Sequence, residues 1–431
     1  MNQVTQSRDI PVTGTYDVVV CGGGPAGWIA AVAAARSGAK TALIEQFGFV
    51  GGMATAGLVL PISVFTYNGK LICGGIPWEF VQRMETVHGA QVEKPLGNVA
   101  HDPEIYKITA QRMLLEAGVS LHLHCTITGC MRVNGHLTHI IFDTRSGPQA
   151  FEARYLIDAT GDGAVCAMAD VPMQQPTLAL QPASLIFCLG GVDTDALEVD
   201  HHNKQGVNMH HAVLQKMLRE LAQTEPIPQF GGPWFCHILR PGFTLVNVTR
   251  TFADMDNHLD ATATECRLRE DAFRFVELFR RLDPAFRNCY LAFTAPTAGT
   301  RETRHIRGKH VLTGEEYLNR VHFPDTVARS AHPIDIHSAK DTNQRCTFLE
   351  DAAYIPYSSL IVPGYDNLIV PSRCLSADQI ASASIRVQAP IMCLGQAAGL
   401  AAAMCNQENI SVHDIDVDVL RATLIAWGAE L

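Results

Sequence analysis

The clearest chemistry in the chain is carried by three glycines and an acid. The motif Gly22-x-Gly24-x-x-Gly27 stands in "VVVCGGGPAGWIAA", and Glu45 follows Gly27 by 18 residues. Glycines at this spacing let the backbone turn tightly and approach a pyrophosphate, which a helix N-terminus receives with free N–H groups and a partial positive charge. An acid about 20 residues on can accept hydrogen bonds from an adenosine ribose. A bound dinucleotide is therefore expected, and a glycine-rich turn of an ordinary α/β protein is the alternative. Arg301 and Arg304, three apart in "GTRETRHIRG", would share one face of a helix and could clamp a carboxylate or another anion. Pairing with nearby acids such as Glu302 is the competing explanation. His332 and His337 in "SAHPIDIH" are expected in a loop and are candidate general bases, against a hydrogen-bonded structural role. Tyr354 and Tyr357 bracket a proline in "YIPY" and are candidates to line a cavity rather than simply pack. The pairs His201-His202 and His210-His211 match no common metal spacing, so no metal is expected.

These residues need elements to position them. Val18 to Val20 form a β-branched run suited to a strand buried on both faces, followed by the turn and an alanine-dense helix over residues 28–37. Gly38 ends that helix, and residues 41–45 make the next strand. "PEIYKITAQRMLLEAG" reads as a helix. Residues 120–153 alternate apolar and polar positions around the hairpin signal Asn134-Gly135, which predicts a β-meander. "ARYLIDATGDGAVCAMAD" leads another strand into a second glycine turn. From about residue 175 to 340 the texture changes to strands ("QPASLIFCLGGV", "FTLVNVTRTF") and a long charged-faced helix ("ATECRLREDAFRFVELFRRL"). The last third returns to the first texture, with "YDNLIVPSRCLSA" and the small-residue helix "APIMCLGQAAGLAAAMC". The fold class expected is α/β: a Rossmann-like dinucleotide domain built from residues 1–175 and 341–431, with an inserted α+β substrate or cap domain over 176–340.

Bulk composition limits the partners. The chain has 431 residues, 47% hydrophobic and 18% charged, and a net charge of −10, which argues against nucleic acid. Thirteen cysteines without any C-x-x-C signal neither a disulfide framework nor a zinc ribbon and fit a reducing cytoplasm. The start "MNQVTQSRDIPVTG" does not read as a secretory signal, and the Gly- and Ala-rich run over 389–405 falls short of a membrane span. A small-molecule substrate is expected, and oligomeric state does not follow from the sequence.

The glycine fingerprint suits FAD and nicotinamide dinucleotides alike. Against a nicotinamide dehydrogenase stand the meander, the second glycine turn and the returning C-terminal segment. Against a disulfide reductase stand the lack of a second G-x-G-x-x-G and of a close cysteine pair outside the meander. With its further blocks "FGFVGGMATAG", "LIDATGDG", "GTRETRHIRGKHVLT", "YIPYSSL" and "NLIVPSRCLSADQIASASIRVQAPIMCLGQAAG", the chain resembles FAD-dependent oxidoreductases of the glutathione-reductase-like superfamily, in particular the fumarate-reductase-flavoprotein-related branch.

The resemblance implies that the turn Gly22, Gly24, Pro25, Ala26 and Gly27 takes the FAD pyrophosphate and Glu45 the ribose. It places Gly51, Gly52 and Met53 beside the ribityl chain and ring, and Thr160, Gly161 and Asp162 in a second turn over the dinucleotide. Residues 384–390, with Ile385, Arg386 and Gln388, should face the isoalloxazine, and the helix that follows should aim its N-terminus at flavin N1 and the C2 carbonyl. Ser372 in "VPSR" departs from the glycine common in such flavoproteins. Cys374 lies in a loop expected near the flavin with nothing to show activation, and non-covalent FAD is expected, with no histidine just before Gly51-Gly52. The function implied is hydride transfer between a small polar or anionic substrate and flavin N5. A flavin monooxygenase and a flavin-bearing electron-transfer subunit stand as alternatives.

Overall fold

The computed structural model describes residues 7–93, 97–197, 209–338 and 343–431. Its main sheet has the order Ser120–His122, Thr41–Ile44, Val12–Cys21, Gly147–Asp158, His136–Thr144, Thr126–Val133, with Leu368–Ile369 added to Gly147–Asp158. The strand Gly147–Asp158 joins two regimes. Along Gly147 to Glu152 it pairs antiparallel with His136–Thr144. Further along it runs parallel to Val12–Cys21, bringing Cys21 opposite Asp158, and takes Leu368–Ile369 at Leu156 and Ile157. Its residues are half-buried over Gly147 to Gln149, alternate between buried and exposed from Phe151 to Arg154 and are all buried from Tyr155 to Asp158, as expected where neighbours lie on both edges and helices cover the faces.

The hairpin at Asn134-Gly135 forms with both residues at positive φ, 51° and 86°, the backbone that a two-residue hairpin turn requires. Ser120–His122 differs from expectation. It is the parallel edge strand beside Thr41–Ile44, outside the meander.

Helices Pro25–Arg36 and Gln388–Glu408 cross in direct backbone contact. A Cβ on Gly395 would come within 2.2 Å of the Ala26 carbonyl oxygen, and one on Gly399 within 2.1 Å of that of Ala30. Gly399→Val is therefore expected to lower stability by at least the ~1–3 kcal/mol typical of overpacking, read as a drop in the denaturant midpoint. An unchanged midpoint would show that the seam has slack. The Gln388–Glu408 helix is long and apolar enough to cross a membrane, more so than the sequence run suggested, but 94% of its apolar window is buried inside the protein. It is a core helix here.

A second, antiparallel sheet has the order Phe230–His237, Phe243–Thr249, Phe187–Gly190, Tyr290–Thr294. Strand alternation divides its contacts. Phe187, Leu189 and Val246 face Phe275 and Phe279 of helix His258–Leu282, whereas Cys188 and Leu245 face Leu58 and Leu60, which follow the first glycine-rich loop. That second face brings this sheet against the cleft described next.

Candidate active site

The strand carrying Val18 to Cys21 ends at Gly22, whose φ of +96° and whose closeness to the Ala159 carbonyl (2.6 Å from a built Cβ) leave no room for a side chain. Gly27 is tighter: a Cβ there would lie 1.8 Å from the Gly22 carbonyl oxygen. Gly24 differs from both, because its Cβ would meet only the Ala159 oxygen, at 3.9 Å. Gly24 is the N-cap of helix Pro25–Arg36 with no capping side chain, so the first N–H groups of the helix remain available to a ligand.

Glu45 is 5% exposed; one carboxylate oxygen accepts from the Gly23 N–H at 2.6 Å and the other from the Phe47 N–H at 2.8 Å. Burial pushes its pKa up, and the two backbone donors oppose the shift. Gly51 and Gly52, at φ +115° and +49°, fold the next loop onto the turn: the Gly51 N–H donates to the Gly23 carbonyl at 2.8 Å, and a Cβ on Gly52 would reach within 2.8 Å of the Gly24 Cα. Asp158 organises the second turn by accepting from the Thr160 N–H, the Thr160 hydroxyl and the Cys166 N–H. Asp162 pairs with Arg373 and accepts from Thr303; burial would raise its pKa, but Arg373 and these donors hold it low.

These elements enclose a cleft of 310 Å³. Glu45, Phe47 and Cys125 to Ile127 line it beside the second strand; Gly22, Gly24, Pro25, Ala26, Gly52, Ala159 to Asp162 and Ser372 line it at the two turns; Met53, Thr300, Arg386 and Gln388 complete the lining. Gly27 and Gly51 shape the walls from behind. Ile385 is wholly buried and is not among the lining residues.

The cleft fits FAD on its own chemistry. Open space over Gly24 and a free helix N-terminus suit a pyrophosphate. Gln388, 6% exposed, donates through Nε2 to the Val59 carbonyl at 2.6 Å while its Oε1 is buried without a partner, on the first turn of a helix whose N-cap, Val387, supplies no capping group. An unanswered acceptor beside unanswered N–H donors is complementary to a flavin pyrimidine edge, which alternates carbonyl acceptors with an N–H donor.

Beyond Arg386 lies a cationic chamber. Arg301 donates to the Pro182 carbonyl at 2.6 Å and to Ser184 Oγ at 2.8 Å; burial first, then the charges of Arg386 and Arg250, pull its pKa down to about 9. Arg386 donates to the Asp335 carbonyl at 3.2 Å, and Arg250 to His337 Nδ1 at 2.9 Å. Because arginine only donates, His337 Nδ1 is the acceptor and Nε2–H donates to Asp335, 3.1 Å away. His337 thus has both nitrogens engaged and ends a strand, Ile334–His337, whereas His332 lies in the connection before it. His332 keeps Nε2 without a hydrogen bond among the described residues, and its Nδ1 meets Ser63 Oγ at 2.7 Å.

Arg301 and Arg304 do not form the expected clamp. The segment carrying them is not helical, being held by isolated bridges Ser184 to Gly299 and Met173 to Ile306. Arg304 points elsewhere, to Asp256 at 3.1 Å and the Asp162 carbonyl at 3.2 Å. Glu302 pairs with His305, not with either arginine. Tyr354 lies against His322 and Arg329 and is not among the cleft-lining residues. Tyr357 is buried and donates to the Val412 carbonyl at 3.1 Å. Cys374 is wholly buried with its pKa pushed up to about 12 by burial, so it is no ready thiolate. His201 and His202 and the side chain of His210 lie outside the described residues; His211 stacks on Trp234 and donates to the Pro233 carbonyl. Sequence reasoning missed Phe47, Cys125 to Ile127, Thr300, Arg250 and Ser63, none of which carries a residue-type signal of its own.

The buried His101 and His337 and the half-buried His332 set an acid limit on the fold. Burial lowers the pKa of His101 and His332 from 6.5 to about 4, and that of His337 to about 3. The unfolded chain takes up these protons near 6.5 and the folded one only near 4 or below, so stability rises with pH across this window and is lost as pH falls through it. Thermal melts are expected to show Tm falling on acidification from pH 6.5 toward 4, less steeply in His101→Phe. Equal slopes in the two proteins would remove His101 from this account.

Glycine turn, second turn and a helix N-terminus meeting at one cleft on a mixed sheet define a Rossmann-like FAD-binding oxidoreductase. The chain belongs to the FAD dependent oxidoreductase family, whose model matches residues 17–424, and FAD is its cofactor. Two dihydrolipoyl dehydrogenases match locally. That of Trypanosoma brucei brucei is 53% identical over 45 residues, 10% of this chain and 9% of its own, and that of Acholeplasma laidlawii is 39% identical over 56 residues, 13% and 16%. This chain therefore covers only a small part of either. Among solved structures, a geranylgeranyl bacteriochlorophyll reductase-like protein from Thermoplasma acidophilum is 12% identical over 97% of this chain and 92% of its own, with a TM-score of 0.48. The flavin-dependent brominase Bmp2 is 15% identical over 96% and 83%, with a TM-score of 0.47.

Proposed function

We propose that this oxidoreductase moves a hydride between a carbon of a small anionic substrate and N5 of non-covalently bound FAD. The observation that carries the reading is the chamber beside the Gln388 end of the cleft, where the guanidinium of Arg301 stands close enough to those of Arg386 and Arg250 for their charges to lower its pKa, and where Asp335 and Glu302 are the carboxylates acting on Arg386. Guanidiniums gathered at one place offer paired donors to an anion, which favours a substrate carrying negative charge. Bound FAD supplies the hydride acceptor or donor; the protein residues bind and orient. Arg301 and Arg386 receive the anion, His337 and Asp335 hold the chamber wall, and His332 presents its open nitrogen to the reacting region. Residues 176–340 form most of the substrate side in this reading, and residues 1–175 with 341–431 form the FAD side and lend Ser63 and Arg386 to the chamber. The fumarate-reductase-related branch accords with an arginine-lined chamber, and the cytoplasm accords with thirteen unpaired cysteines.

Anaerobic mixing of the FAD-loaded protein with a panel of small carboxylates, sulfonates and phosphates tests the proposal. Bleaching of the flavin band by a member of the panel is expected. Bleaching by neutral compounds alone would refute the anionic assignment, and oxygen-dependent transfer of an oxygen atom to the substrate would make the protein a hydroxylase instead.

A further inference from the structure

We infer that Ser63 is a positioning residue of this chamber: its hydroxyl donates to Nδ1 of His332, so that Nε2 carries the hydrogen and faces the substrate as a neutral N–H donor. The inference rests on the chamber being the substrate site and specifies what one of its side chains does there.

The geometry distinguishes two arrangements. Ser63 Oγ and His332 Nδ1 are 2.7 Å apart, and His332 is the one hydrogen-bond partner of the Ser63 hydroxyl among the described residues. If Nδ1 carried the hydrogen, the hydroxyl hydrogen of Ser63 would find no protein acceptor. With Ser63 donating, the hydroxyl hydrogen and the Nδ1 lone pair answer each other, and the one group left without a protein partner is the ring hydrogen on Nε2, which is free for a ligand.

The backbone of His332 is fixed as well. Ser384 Oγ donates to its carbonyl at 2.5 Å, and the Tyr317 hydroxyl meets Ser384 Oγ at 2.6 Å. The ring is thereby anchored at one nitrogen and at the main chain, leaving Nε2 as its open end. Burial and the charge of Arg386 both oppose a second cation there, with Asp335 pulling the other way, and the balance keeps the imidazole neutral at physiological pH.

A neutral imidazole N–H donates a hydrogen bond without surrendering its proton, which suits an oxygen that gains negative charge during reaction. Together with guanidiniums for a carboxylate, this selects the ligand class: a small carboxylate with a carbonyl or enolate oxygen beside the reacting carbon. His337, with both nitrogens occupied, cannot take this part.

The test is a long-range ¹H–¹⁵N correlation spectrum of FAD-loaded protein labelled at histidine, in which the His332 signals are those lost in His332→Gln. The Nε2–H tautomer is expected at neutral pH. Ser63→Ala should show mixed tautomers with FAD content unchanged and turnover lower by on the order of tenfold, part of the ~10²-fold or more carried by one such donor, with little change in KM. Ser63→Thr, which keeps the hydroxyl, should restore both spectrum and turnover. An Nδ1–H tautomer or an imidazolium in the unsubstituted protein would overturn the inference, as would a Ser63→Ala spectrum identical to it. The tautomer is read without substrate, so it stands or falls separately from the anionic-substrate reading, which fails if no small anion perturbs the flavin spectrum.

Discussion

Gly27→Ala is expected to yield a protein that loses FAD and melts at a markedly lower temperature, whereas Gly24→Ala folds normally and loses FAD alone. The two substitutions add the same methyl group to the same motif and separate two meanings of glycine. At Gly27 the methyl would lie 1.8 Å from the Gly22 carbonyl and 2.9 Å from the Ala159 Cβ, so the turn and the helix behind it must part. Overpacking against backbone costs about 3 kcal/mol or more, and the displaced turn no longer presents its N–H groups. At Gly24 the methyl meets nothing closer than 3.9 Å and projects into the space that the pyrophosphate requires. FAD content after gel filtration, measured beside thermal melts, checks the contrast. A Gly24→Ala protein that retains full FAD would show that the pyrophosphate does not pass over this residue.

Arg301→Ala is expected to raise KM by roughly 10- to 150-fold, the equivalent of ~1.5–3 kcal/mol for a hydrogen bond to a charged group, with FAD content unchanged. Arg301 is distant from the glycine turns in its contacts and is not a lining residue of the cleft. Arg386→Ala should lower FAD retention as well as substrate affinity, because Arg386 belongs to both the cleft and the chamber. Arg304→Ala supplies the contrast: its partners are Asp256 and the Asp162 carbonyl of the cofactor turn, so its effect should fall on stability and FAD retention and leave KM unchanged. Steady-state kinetics of the three variants, with flavin content determined on each, distinguish the roles. Unaltered KM in Arg301→Ala would remove this residue from substrate binding.

The cofactor half of the site was readable because backbone requirements are written in residue identity. Gly22 and Gly27 tolerate no side chain, Gly24 lacks one on the ligand side, and Asn134-Gly135 marks a turn of positive φ. The substrate half was less readable for a physical reason. Ser63 and His332 are 269 positions apart, and Arg250 and His337 are 87 apart, so only the folded chain brings them together. The Arg301 and Arg304 spacing suggested a helix, and tertiary bridges with residues 173 and 184 overrode it. The dinucleotide end lined by Phe47 and Cys125 to Ile127 draws on ordinary strand residues with no chemical mark. Ser372 shows how the chain absorbs a departure from the familiar glycine: its hydroxyl lies 3.4 Å from the Asp158 carbonyl oxygen and 3.1 Å from Cys374 Sγ, within the wall of the cleft.

The close crossing of Pro25–Arg36 with Gln388–Glu408, and the addition of Leu368–Ile369 to the central strand, have a consequence for biosynthesis. Loop-closure entropy opposes such distant pairings, which makes them late events in folding. On the ribosome, the glycine turn emerges hundreds of residues before the helix that completes its wall. A nascent chain interrupted before residue 388 would carry the pyrophosphate fingerprint and lack the Gln388 end, so the complete cleft exists only once that last long helix has been made and packed.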